Sequence, residues 1–204
     1  MTAVAVAASL IACGGSSSGA TERSGTYAVA VTEASLPRVQ RLGQTSSLEL
    51  AIRNEGDETV PALTVTIGIE GERGESSALP FGIRDPQPGL ASPDRPVWVL
   101  AQSYPRLASS SRPGGATTAN PKTFDFGPLE PGETTAVVWK LSAVRAGRYT
   151  VAYLVGAGGG EAVAETDGGE VPEGALTARI TAALPETEVN DRGEVVKIKG
   201  SRRP

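Results

Sequence analysis

Histidine is absent from the 204 residues, and cysteine and methionine occur once each. Without imidazole there is no Ser–His–Asp or Cys–His catalysis, no HExxH zinc site and no imidazole proton shuttle. A single thiol cannot close a disulfide within the chain. Aromatic residues are scarce as well, at 4%. A carbohydrate cleft, which usually brings several aromatic platforms, is poorly supplied once a core has been filled. Ser-x-x-Lys and G-x-x-x-x-G-K-[ST] are both missing, which leaves no motif for a Ser–Lys acylating pair or a P-loop. The net charge of −4 argues against general nucleic-acid binding. The metals and cofactors that depend on these groups drop out with them. Helical spacing of apolar residues is not sustained over any stretch of ten or more.

The single thiol is Cys13. Before it runs "AVAVAASLIA", Ala3–Ala12, apolar apart from Ser9. That run is too short for a bilayer span of about 20 residues and suits the apolar centre of a secretory signal. Leu10-Ile11-Ala12-Cys13 resembles the bacterial lipobox, in which the cysteine thiol is acylated before cleavage on its N-terminal side. The resemblance implies a signal peptide at 1–12 and lipidation of Cys13. The "GGSSSGA" that follows is linker composition, so 13–25 is expected to be a flexible tether with a reach of roughly 20 Å. No Lys or Arg lies between Thr2 and Ala12, which points to a start codon further upstream.

What is abundant is period two. Tyr27, Val29 and Val31 share a face of "YAVAVTEA" (Tyr27–Ala34). In "SSLELAIRN" (Ser46–Asn54), Leu48, Leu50 and Ile52 alternate with polar residues. Leu63, Val65, Ile67 and Ile69 do the same in "LTVTIGIEG" (Leu63–Gly71). Each reads as a strand with one buried face. "TTAVVWKLSAV" (Thr134–Val144) and "GRYTVAYLV" (Gly147–Val155) are separated by Arg145-Ala146, the spacing of a two-residue hairpin. "ALTARITAAL" (Ala175–Leu184) supplies a last strand. Six or seven such strands with turn signals between them predict an all-β fold, an antiparallel β-sandwich over 26–184.

Three stretches resemble bacterial cell-adhesion-related (CARDB-like) and similar immunoglobulin-like domains. They are "LELAIRNEGDETVPALTVTI", "FGPLEPGETTAVVWKL" and "AGRYTVAY". The resemblance implies an immunoglobulin-like sandwich and makes Tyr149 a corner residue, ring inward and hydroxyl bonded to backbone. Val151 stands where antibody domains carry their second strand cysteine.

A long Pro-rich insertion, 71–123, interrupts the sandwich and holds eight of the fifteen prolines. Loops of that length are usually functional or disordered. Within it "RPVWVLA" (Arg95–Ala101) is a short strand with Trp98 packed, and Ala108–Pro121 has mobile-loop composition. Phe81, Arg84, Tyr104 and Arg106 are its candidate binding residues, because aromatic and Arg side chains are the usual interface anchors. Phe81 and Trp98 capping the sandwich is the competing expectation. Glu161, Glu165, Asp167, Glu170 and Glu173 cluster in the loop before the last strand. Their spacing fits no EF-hand, and solvated charge is preferred to a calcium site. The polar tail, 185–204, carries four basic residues in its last eight and a turn, "NDRG", before a short strand "EVVKI". The sequence therefore predicts a membrane-anchored envelope lipoprotein carrying a non-catalytic immunoglobulin-like binding or structural module. Its partners would be the lipid anchor and an envelope protein or polymer, with no nucleic acid. The alternative is a carboxylate-only envelope enzyme such as a glycosidase.

Overall fold

The structure, a computed structural model, describes residues 25–71, 80–82, 96–102, 105–108, 115–158, 162–182 and 187–197. The stretch expected to be a signal segment, Cys13 and the expected tether up to residue 24 lie outside the described residues. Among the described residues there is no helix long and apolar enough to cross a membrane.

The alternation read from the sequence becomes two packed sheets. The first contains β1 (Gly25–Ser35), β3 (Thr45–Asn54), β5 (Trp98–Leu100), β6 (Arg106–Leu107), β9 (Thr134–Ala143) and β11 (Ala162–Glu165), in the order β11-β1-β3-β9-β5, with β6 also on β9. The second runs β2-β12-β10-β4-β8-β7. Its members are β2 (Val39–Arg41), β4 (Thr64–Gly71), β7 (Ala116–Thr117), β8 (Thr123–Asp125), β10 (Gly147–Gly156) and β12 (Glu173–Thr181). Neighbours are antiparallel except at two edges, where β11 runs parallel to β1 and β2 parallel to β12. The fold is an immunoglobulin-like β-sandwich. β13 (Thr187–Val189) and β14 (Val195–Lys197) form a separate hairpin around the Asn190–Gly193 turn, with β14 inside the "EVVKI" stretch where a short strand is expected and β13 added before the turn.

Leu48, Leu50, Ile52, Val137, Trp139 and Leu141 from the first sheet are wholly buried against Val65, Ile67 and Val151 from the second. Burial of this kind contributes roughly 1.5–3 kcal/mol per large apolar side chain. Trp139 sits between Phe124 and Phe126, edge to face, with ring centroids 5.8 and 5.6 Å away. Trp98 meets Tyr149 the same way at 5.8 Å.

The described parts of the insertion join this core. β5 and β6 extend the first sheet, and Phe81, Val97, Trp98 and Leu100 are buried. The acidic loop likewise contributes β11, which pairs with Gly25–Ala28 of β1.

The hairpin expected at Arg145-Ala146 is not formed. β9 lies in one sheet and β10 in the other, so the link is an arch between sheets. Tyr149 makes the arch: its hydroxyl donates to the Ala146 carbonyl at 3.0 Å. Gly147 passes under that ring with φ +150, and a Cβ there would meet Tyr149 Oη at 2.7 Å. The corner inferred for Tyr149 is therefore present, and it excludes the hairpin.

Other sheet changes are locked in the same manner by the two buried polar side chains, Gln40 and Asn54. Asn54, at the exit of β3 towards β4, donates through Nδ2 to the carbonyls of Glu58 (2.8 Å) and Leu129 (2.9 Å). Its Oδ1 accepts from Gly56 N–H at 3.0 Å. Gln40, just after the chain passes from β1 to β2, donates to the Pro37 carbonyl at 3.0 Å and accepts from Trp98 Nε1 at 2.8 Å. A buried polar group is tolerated only when its bonds are made, and both residues meet that condition through crossovers.

Candidate functional site: an arginine-rimmed groove at the edge of the second sheet

Two of the four residues singled out in the insertion, Phe81 and Arg106, fall among the described residues. Phe81 is only 4% exposed and packs towards Phe124 at 6.4 Å, which removes it as a surface contact. An apolar ring in a loop that the sheets can reach is better placed in the core than in water. Arg106 is half-buried in β6, opposite Val138 of β9. Arg84 and Tyr104 lie outside the described residues, as do Cys13 and residues 109–114.

The acidic residues spread out rather than converge. Glu165 belongs to β11 and Glu173 opens β12. Asp167 and Glu170 flank a turn closed by Thr166 N–H to Glu170 carbonyl and Gly169 N–H to Thr166 carbonyl, each 2.8 Å. Glu161 lies outside the described residues. Among the described residues no group of three or more His, Cys, Asp or Glu could hold a metal ion.

A different cluster does converge. Arg148 of β10 and Arg179 of β12 are direct cross-strand partners, and both are exposed. Arg38 stands on the next segment over, its carbonyl accepting from Arg179 N–H at 2.8 Å. Beside the three guanidinium groups runs an open groove of about 580 Å³, floored by Leu36 and Leu176, with Val39 on the Arg179 face, and continued by Ala175 and Thr177. Val39 is 68% exposed, an unusual position for a strand valine.

Like charges placed directly opposite one another on a sheet destabilise it. None of these three arginines has an ion pair among the described residues. The acids on the same face, Glu70 and Glu173, are in register with Thr150 and Leu154, two and six residues along β10 from Arg148. Between them the face is small and flat, with Gly68, Ala152 and Ala175 in one row. The arrangement can hold an anionic group against an apolar floor.

On the inner side of the same strands, burial raises the Tyr153 phenol above its ordinary value of 10.0. Its ring covers Gly174 on the neighbouring strand, the position where a Cβ would collide with Tyr153 Oη.

Sequence reasoning missed the groove. "GRYT" and "TARI" each show one arginine on a polar face, and only the register of β10 with β12 brings the two together. The intervening residues 157–172 do not set that register in any readable way.

No family model matches the chain, and no curated protein matches it. Among solved structures, the CARDB domain of a Pyrococcus furiosus protein in complex with di-metal ions is similar at 14% identity and TM-score 0.43, covering 76% of this chain and 89% of that one. Native alpha-2-macroglobulin from Escherichia coli, from domain MG7 to the C-terminus, is similar at 19% identity and TM-score 0.41, over 78% of this chain and 17% of that one. A family 123 glycoside hydrolase from Clostridium perfringens is similar at 11% identity and TM-score 0.38, over 73% and 23%. No activity transfers at this level of similarity. The immunoglobulin-like assignment rests on the strand order and the Tyr149 corner.

Proposed function

We propose that this chain is a lipid-anchored protein of the bacterial envelope whose sandwich binds a partner and carries out no reaction. The observation that carries the binding reading is the groove of Arg38, Arg148 and Arg179 beside an apolar floor, a stabilising fold's poor choice unless an anionic partner uses it. The buried polar residues Gln40 and Asn54 and the Tyr149 hydroxyl are committed to sheet crossovers, as backbone-holding groups rather than reacting ones. The anchor is supported by the sequence: Leu10-Ile11-Ala12-Cys13 followed by "GGSSSGA". Each buried methylene of an acyl chain contributes about 0.8 kcal/mol to membrane attachment. The partner is an envelope protein or polymer at the extracytoplasmic face, not a nucleic acid.

Fractionation tests the anchor and binding to isolated envelopes tests the module. Cys13→Ser should move the protein from the membrane fraction to the medium or to an uncleaved precursor, and mass spectrometry should find the native Cys13 acylated. An unmodified Cys13 ends the anchoring reading. The soluble Cys13→Ser chain should bind isolated envelopes saturably, and a failure to do so ends the binding reading.

A further inference from the structure

Backbone groups alternate sides along a strand. In β12, Arg179 N–H donates to the Arg38 carbonyl at 2.8 Å and the Thr181 carbonyl accepts from Leu42 N–H at 3.1 Å. The odd-numbered residues of β12 therefore turn their N–H and C=O groups towards the β2 side. β2 begins at Val39, opposite Arg179, and the first bond of the pairing is Arg179 N–H to the Arg38 carbonyl. Ala175 and Thr177 are left with N–H and C=O groups that no strand pairs among the described residues. On the other side the same stretch is fully laddered to β10, from Gly147 to Leu154.

An unpaired edge is a template for another chain, and sheets usually block it with proline, a bulge or an inward charge. Ala175, Leu176, Thr177 and Ala178 carry none of these. The free stretch, Glu173–Ala178, is about 20 Å long at strand rise. The arginine cluster stands at one end of it, with exposed Val39 in register beside Arg179.

We propose that this edge takes up an extended acidic peptide as an added strand, an inference that rests on the binding reading and names its partner's chemistry. Backbone hydrogen bonds to Ala175 and Thr177 supply the affinity common to strand addition, and alternate side chains supply the specificity. Those facing outward meet Arg179, with its partner Arg148 one strand further in, and are acidic. Those facing inward meet Leu36 and Leu176 and are apolar. Glu173 at the far end disfavours acid there.

The test uses the full-length Cys13→Ser chain and a fluorescent peptide alternating Glu and Val, with a Lys–Val peptide and inorganic polyphosphate as controls. The acidic peptide should bind saturably, more weakly as salt rises, and the Lys–Val peptide should not bind. Arg148→Glu with Arg179→Glu exchanges one like-charge pair for another, and should weaken the peptide about tenfold or more. Thr177→Pro removes the free N–H at the edge together with the hydroxyl 3.4 Å from Thr150 Oγ1, and compared with Thr177→Val, which keeps the N–H, it should weaken the peptide while leaving any polyphosphate binding unchanged. Amide exchange of Ala175 and Thr177 in the parent chain should slow when the peptide is added, a result independent of whether the proline variant folds. Polyphosphate binding without peptide binding, or peptide binding without amide protection, overturns strand addition. Failure of the peptide while envelopes still bind rejects this inference alone. Peptide binding by a protein whose Cys13 proves unmodified leaves it standing without the anchor.

Discussion

Trp98 Nε1 donates to Gln40 Oε1 at 2.8 Å across the sandwich, with both side chains fully buried. Trp98 comes from β5 in the first sheet and Gln40 from β2 in the second, so one bond ties the inserted strand to the crossover that follows β1. Gln40→Ala orphans the indole N–H and opens a cavity, and should cost about 2–4 kcal/mol in denaturant unfolding. Gln40→Leu combined with Trp98→Phe removes both polar ends. The pair should recover part of the sum of the single losses, and strict additivity would show that the bond does not couple the two sheets.

The Tyr149 corner makes a two-part expectation. Tyr149→Phe loses its hydroxyl bond to Ala146, on the order of 1 kcal/mol. Gly147→Ala drives a Cβ against the same ring and should cost more. Thermal unfolding of the two variants gives the order, and a harmless Gly147→Ala would mean the arch can shift.

Trp139 Nε1 is buried without a hydrogen-bond partner among the described residues. Trp139→Phe therefore sheds an unsatisfied donor and should cost clearly less than Trp139→Ala, for which about 3–5 kcal/mol is expected. Equal losses in urea unfolding would indicate that the indole N–H does have a partner.

Arg148→Glu alone replaces a like-charge cross-strand pair with an opposite-charge one facing Arg179. It should raise the melting temperature by about 1–3 °C at low salt, with the gain shrinking as salt is added. A lower melting temperature would show that the arginine pair is not repulsive.

Burial raises Tyr153 in the folded state above its ordinary 10.0. An acid whose folded value is raised contributes stability that is fully present below the unfolded value and is lost as pH climbs through the folded one. Unfolding free energy should therefore fall as pH rises past about 10. Tyr153→Phe should flatten that part of the profile relative to the parent, and an unchanged alkaline slope would assign the loss elsewhere.

Which side of each strand faces inward was readable because period two is a property of the strand alone. Leu48, Leu50 and Ile52 are buried as their alternation requires, as are Val65, Ile67 and Ile69. Which sheet a strand joins was not readable in that way. Arg145-Ala146 has the length of a hairpin loop and of an arch, and what decides between them is Tyr149 reaching back to Ala146. Phe81 carried no periodic signal, standing alone in a Pro-rich segment, so its burial appears only once β5 and β8 are in place. The groove was hidden for a third reason. Arg148 and Arg179 are 31 residues apart in the chain, and only the β10–β12 ladder sets them face to face.

β1 is held on both sides, with β11 parallel along Gly25–Ala28 and β3 antiparallel along Val29–Ser35. If the chain is tethered through the residues before Gly25, a tug from the membrane arrives at the very end of this strand. A load along β1 strains both ladders in shear, so many hydrogen bonds share it at once and must give way together. A load across β1 would open the pairs one after another. The domain should thus be mechanically stiff along one axis and weak along another, a difference that single-molecule pulling from Gly25 in the two directions would measure.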